Sequence, residues 1–217
     1  MAKTPGRFIT LEGGEGTGKS TQIRRLAASL EKKGISCVLT REPGGSPGAE
    51  DIRKLLVQGE PGRWDALTET LLLYAARADH VTNTIKPALA RGVWVICDRF
   101  SDSTYAYQGG GGGLDRETIR RIEAVSIGDF KPELTLIFDL PVEVGLERAR
   151  ARHGNEMRFE QFDLGFHERM RRVYLEIAKR AGDRCRVIDA SGNEEDVAAA
   201  ILGAVTARFG LEHEGQG

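Results

Sequence analysis

Apolar residues cluster in five short runs, "RFITLE", "SCVLT", "VWVICD", "LTLIFDL" and "RVIDA", each rich in β-branched side chains and separated from the next by a longer segment with helical spacing of its apolar positions. That alternation predicts an α/β fold. Four of the runs are almost wholly apolar in their middle, as strands covered on both faces of a parallel sheet must be. Among the helical segments, Lys19 to Lys33 closes at Gly34, and Phe166, Met170, Val173, Tyr174 and Ile177 form an apolar stripe that reads as core. The one low-complexity stretch, "QGGGGG" from Gln108 to Gly113, predicts a flexible loop ahead of a helix starting near Asp115. Residues 1–210 are expected to make one domain, and 211–217, "LEHEGQG", a disordered tail.

Composition narrows the partners. A chain of 217 residues, 40% hydrophobic and 29% charged, is a good length for a single core, and a formal net charge of −1 argues against binding nucleic acid through a broad basic face. Cys37, Cys97 and Cys185 are odd in number and widely spaced, which suggests neither a disulfide framework nor a zinc site. No apolar run has signal-peptide or membrane-spanning length, so a soluble, cytoplasmic protein is expected.

The candidate chemistry begins at "LEGGEGTGKST". Gly13, Gly18, Lys19 and Ser20 satisfy G-x-x-x-x-G-K-[ST] between a predicted strand and a predicted helix. Such a loop lets successive N–H groups converge on phosphate oxygens, adds the positive end of a helix and a lysine charge, and offers a serine hydroxyl to Mg²⁺. The predicted nucleotide site therefore comprises Gly13, Gly14, Glu15, Gly16, Thr17, Gly18, Lys19, Ser20 and Thr21. A guanine-binding N-K-x-D is absent, and the D-x-x-G at Asp189 to Gly192 follows the last strand, which argues against a switch GTPase. Two strands end in an acid, at Asp98 and Asp139. Asp98 is the preferred Mg²⁺ partner because Arg99 follows it, placed to grip an accepting phosphate. Further on, "ERARARHGNEMRFEQ" carries Arg148, Arg150, Arg152 and Arg158. A lid over about 148–162 would bring such arginines to the negative charge of phosphoryl transfer.

Taken with "TREPGGSPGAEDIRKLL", "LLLYAARADH" and "DRFSDSTYAYQG", these motifs resemble the thymidylate kinase family over nearly the whole chain. The resemblance implies a P-loop fold of five parallel strands with helices on both faces, ATP and dTMP as substrates, Mg²⁺ as cofactor, and a homodimer. It implies Arg53 and Arg99 at the acceptor phosphate, Arg77 at a thymine carbonyl, and Ser103, Thr104 and Gln108 near the base. Tyr107 would lie against the sugar, Glu42 near the acceptor phosphate and metal, and Glu15 at the 3′-hydroxyl. Arg148, Arg152 and Arg158 would serve the donor and the transferred group. Departures are visible: Leu73 stands where many members stack a phenylalanine on the base, Gly112 replaces a common arginine, Met157 replaces an acid, and Gly16 stands where some members carry a loop arginine. A kinase for another nucleoside monophosphate or a deoxynucleoside, or an ATP-switched binding module, are the alternative readings.

Overall fold

The computed structural model describes residues 6–59, 62–151 and 162–211. All five apolar runs are strands: β1 (Phe8–Gly13), β2 (Cys37–Arg41), β3 (Trp94–Asp98), β4 (Leu134–Asp139) and β5 (Cys185–Asp189). They form one parallel sheet in the order β2-β3-β1-β4-β5. The central strands β1, β3 and β4 are buried almost throughout, whereas β2 and β5 at the edges are partly exposed.

The helices are α1 (Lys19–Glu31), α2 (Pro47–Val57), α3 (Ala66–His80), α4 (Lys86–Ala90), α5 (Ser101–Thr104), α6 (Arg116–Ser126), α7 (Val142–Arg150), α8 (Leu164–Ala181) and α9 (Glu194–Phe209). On one face, Leu26 and Leu30 of α1 and Ile201 and Val205 of α9 pack on Ile9, Leu11 and Leu136. On the other, Tyr74 of α3 and Ile119 of α6 cover Phe8, Val95 and Cys97, while Phe166, Met170 and Tyr174 of α8 form a third cluster with Tyr107 and Ile137. Because β1 lies between β3 and β4, the connections leaving β1 and β3 diverge, and a crevice opens at the carboxyl ends of these strands.

The glycine run departs from expectation. Tyr105–Gly111 continues α5 as a π-helical segment, and only the residues from Gly112 to Asp115 connect it to α6. Its glycines admit α8: a Cβ on Gly111 would overlap the Phe166 ring, and one on Gly110 would lie 2.7 Å from Val173 Cγ2. Arg169 of α8 donates to the Gly110 and Gly111 carbonyls at 3.3 and 3.1 Å. Close packing, not flexibility, is what these glycines supply. Of the predicted lid, Arg148 and Arg150 end α7, while Arg152, Met157 and Arg158 lie outside the described residues, as do residues 212–217 of the tail.

Candidate active site

The loop from Gly14 to Gly18 joins β1 to α1, and glycine is required where it turns: φ is 136° at Gly13, 69° at Gly16 and 86° at Gly18. Lys19 folds back over the loop, its Nζ donating to the carbonyls of Gly13 and Gly14 at 3.1 and 2.8 Å and to Thr17 Oγ1 at 3.2 Å. Burial, reinforced by the nearby Arg99 cation, pushes its ammonium down to about 8, against the pull of Asp98, Glu15 and Glu12. Gly16 lies against the backbone of Gly145 in α7, where any Cβ would overlap the Gly145 carbonyl. The side chain missing at this position is what lets α7 sit on the loop. Thr21, beyond the loop, lies in the first turn of α1 with its N–H on the Gly18 carbonyl at 3.1 Å.

Ser20 Oγ donates to Asp98 Oδ2 at 3.2 Å, while the buried Asp98 Oδ1 has no partner among the described residues. Asp139, the other strand-end acid, is held by Arg171 through Nε at 2.7 Å and Nη2 at 3.1 Å. Asp139 thus has both oxygens engaged, whereas Asp98 keeps one without a partner among the described residues. A hydroxyl beside a carboxylate with an unused oxygen fits Mg²⁺, which prefers oxygen ligands and completes its shell with water and substrate phosphates. Among the described residues no group of three or more His, Cys, Asp or Glu forms a metal cage.

Arg99 leaves β3 with a left-handed backbone, φ 68°, unusual for a side chain with a Cβ. Its Nη1 donates to Gly13 O at 2.9 Å, its Nη2 to Glu15 Oε1 at 2.9 Å, and its Cζ lies 4.8 Å from the centre of the Tyr107 ring. Tyr107 OH donates to the same Glu15 oxygen at 2.7 Å. Burial raises the Glu15 carboxyl, but Arg99, Lys19 and the Tyr107 hydrogen bond outweigh it and leave it below its ordinary value. The loop glutamate is therefore a stable anion between two cations.

Farther from the loop, Arg77 is buried, with Nε on Glu42 Oε2 at 2.7 Å, Nη1 on Thr104 Oγ1 at 3.2 Å and Nη2 on Phe100 O at 3.1 Å. Its Cζ lies 4.4 Å from the Tyr74 ring centre. Glu42, expected near the acceptor phosphate and metal, accepts from Arg77 at Oε2 and meets His80 Nδ1 at 3.0 Å through Oε1, so both oxygens anchor side chains. Arg53 Nη1 reaches the Pro43 carbonyl at 2.6 Å, and Arg148 Nη1 reaches Ala190 O at 3.3 Å, beside the end of β5.

These groups share one cavity of about 420 Å³. Its walls include Glu15, Gly16, Thr17, Gly18, Lys19 and Ser20 from the loop, Asp98 and Arg99 from β3, and Glu42 and Arg53 after β2 and on α2. Leu73, Arg77, Ser103, Thr104, Tyr107 and Gln108 also line it. Every predicted acceptor residue thus faces the space that the phosphate loop opens into. Gly13, Gly14 and Thr21 stand behind it, and Arg148 lies apart on α7.

Sequence reasoning missed the layer beneath Arg99. Glu12, fully buried in β1, accepts from Phe100 N at 2.7 Å, Ser103 Oγ at 2.5 Å and Tyr174 OH at 3.2 Å. Burial and the neighbouring Asp102 push its carboxyl up to about 8. A charged residue inside an apolar strand run was the available signal. Tyr174, read only as core, also lies 3.3 Å from Arg99 Nη1. No helix among the described residues is long and apolar enough to cross a membrane.

The family model described as thymidylate kinase matches residues 11–201. The chain is 58% identical over 208 residues to the thymidylate kinase of Caulobacter vibrioides, covering 96% of this chain and 100% of that one. It is 53% identical over 206 residues to the thymidylate kinase of Bradyrhizobium sp. strain ORS 278, covering 94% and 91%. The solved thymidylate kinase of Ehrlichia chaffeensis superposes with a TM-score of 0.74 at 36% identity, over 93% of this chain and 99% of that one. Since these likenesses run through the loop, the cavity and both faces of the sheet, the chain belongs to the thymidylate kinase family.

Proposed function

We propose that the chain carries out its family's reaction, ATP + dTMP giving ADP + dTDP, with donor and acceptor meeting in the single cavity between Lys19 and Arg77. The observation that carries this reading is the continuity of that cavity from the phosphate loop to the buried guanidinium of Arg77. The loop N–H groups and Lys19 hold the donor β- and γ-phosphates. Arg99 and Arg53 hold the acceptor phosphate, and Arg77, anchored by Glu42, turns its remaining N–H donors to a carbonyl oxygen of the base. Leu73 contributes apolar contact to the base in place of a stacked ring.

In the transfer, an acceptor phosphate oxygen forms a bond to the γ-phosphorus while the bond to the β,γ-bridging oxygen breaks and ADP departs. That oxygen is already largely ionised at neutral pH, so no general base is needed, and positioning with charge stabilisation supplies the catalysis. Ser20 and Asp98 would hold Mg²⁺, which would supply charge neutralisation on the donor phosphates. Glu15 accepts from the acceptor's 3′-hydroxyl, and Tyr107 crowds a 2′-hydroxyl. Arg152 and Arg158, outside the described residues, complete the charge around the transferred group.

The same reading places the protein in the cytoplasm as a homodimer. Its three cysteines are free, and Leu67 and Leu71 expose 44% and 51% of their surface along one side of α3, an apolar stripe suited to a second copy. Sedimentation showing a monomer at micromolar concentration would remove the dimer. The activity is tested by coupled ADP release with dTMP, dUMP, dCMP, dGMP and AMP. Release that ignores every monophosphate would refute the kinase, and preference for dCMP or AMP would refute the acceptor.

A further inference from the structure

Behind the recess lined by Leu73, Arg77 and Thr104, two buried side chains meet without a role assigned to their contact. Gln108 Nε2 donates to Glu69 Oε1 at 2.6 Å, with the residues 3% and 6% exposed. Gln108 Oε1, also buried, has no partner among the described residues. Glu69, Leu73 and Arg77 follow one another at intervals of four along α3, so the helix presents all three to the same side.

A glutamine amide by itself is ambiguous, since a half-turn exchanges its donor end for its acceptor end at almost no change in shape. A carboxylate removes the ambiguity because it only accepts. With the amide reversed, Gln108 Oε1 would face Glu69 Oε1 at hydrogen-bond distance, two acceptors in contact away from water, which is costly.

We propose that Glu69 is a positioning residue for base selection: by holding the nitrogen of Gln108 it keeps Oε1 as an acceptor for the ring imide N–H of a 2,4-dioxopyrimidine. The inference rests on the cavity being the dTMP site. Thymine and uracil offer an N–H at ring position 3 and an oxygen at position 4, matching an acceptor at Gln108 and donors at Arg77. Cytosine offers a lone pair and an amino group at these positions, so both contacts are mismatched. Were Gln108 free to turn, its amide could donate to the cytosine ring nitrogen and one mismatch would vanish. Glu69 therefore protects specificity without touching the base.

The test compares kcat/KM for dTMP and dCMP in the wild type and in Glu69→Gln, whose amide satisfies Gln108 in either orientation. The expected result is a fall of about tenfold in the dTMP-to-dCMP ratio, the size of one corrected hydrogen-bond mismatch. A purely structural role would lower both substrates together and leave the ratio unchanged. A selective wild type with an equally selective Glu69→Gln overturns the inference alone. A wild type indifferent to the base overturns the dTMP reading and the inference with it. A readout independent of any variant's folding is the Gln108 side-chain amide in ¹⁵N-glutamine-labelled wild type. One amide proton protected from exchange before and after dTMP is added supports the assignment; two fast-exchanging protons overturn it.

Discussion

Replacing Arg99 by alanine removes the group that ties the phosphate loop to the acceptor side, and its cost divides into parts. The guanidinium is paired with Glu15 at 2.9 Å, with side-chain exposures of 17% and 22%. At that burial a charge-assisted hydrogen bond contributes about 1.5–3 kcal/mol, and the approach to the Tyr107 ring adds about 0.5–1 kcal/mol. Relief of the repulsion between Arg99 and Lys19 offsets some of this, so a net loss of about 2 kcal/mol is expected, a fall in Tm of roughly 4–8 °C for a chain of this size. The left-handed backbone at φ 68° remains strained in the alanine variant. Arg99→Gly should relieve it and recover about 1 kcal/mol relative to Arg99→Ala. In turnover, loss of charged donors to the accepting phosphate should lower kcat/KM for dTMP by about 10²–10³, equally in both variants, while the Kd of ATP changes less than about threefold. Calorimetric melts, ATP titration and coupled ADP release measure these quantities. Arg99→Ala retaining more than about a tenth of wild-type turnover would refute the acceptor role, and equal stability of the two variants would refute the strain.

Two further outcomes follow from the loop and the glycine run. Lys19, pushed down to about 8 from its ordinary 10.5, loses its charge above pH 8, so the Kd of ATP should be flat near pH 7 and rise toward tenfold per pH unit beyond 8. Between pH 8 and 10.5 the unfolded chain holds this proton more tightly than the fold, so the group's contribution to stability rises with pH, and weakened binding there is not unfolding. Isothermal titration showing a constant Kd to pH 9.5 would refute the assignment. Gly111→Ala drives a methyl into the Phe166 ring and should cost about 1–3 kcal/mol, with α8, and so Tyr174 beside Arg99, displaced. A Tm within about 1 °C of wild type would show that the packing is not tight.

Much was legible in the chain because it depends on local chemistry. Five apolar runs define five strands, and Gly13, Gly18, Lys19 and Ser20 define a phosphate loop, since backbone turns and burial patterns are written residue by residue. The long-range pairs were not. Which strand-end acid stayed available was decided by Arg171, which takes Asp139 and leaves Asp98. Glu42 became an anchor because Arg77 and His80 arrive on a helix about 35 positions later. The glycines after Gln108 read as a loop because composition carries the freedom of a glycine but not the neighbour that requires its small size, and that neighbour is α8. Glu12 and Glu69 were invisible as site residues because a buried carboxylate is explained only by the donors that converge on it. The sequence by itself determined the elements and the loop that binds phosphate. The tertiary structure decided which charges are paired, and therefore which remain for the substrate, because pairing depends on distances between segments that no local pattern encodes.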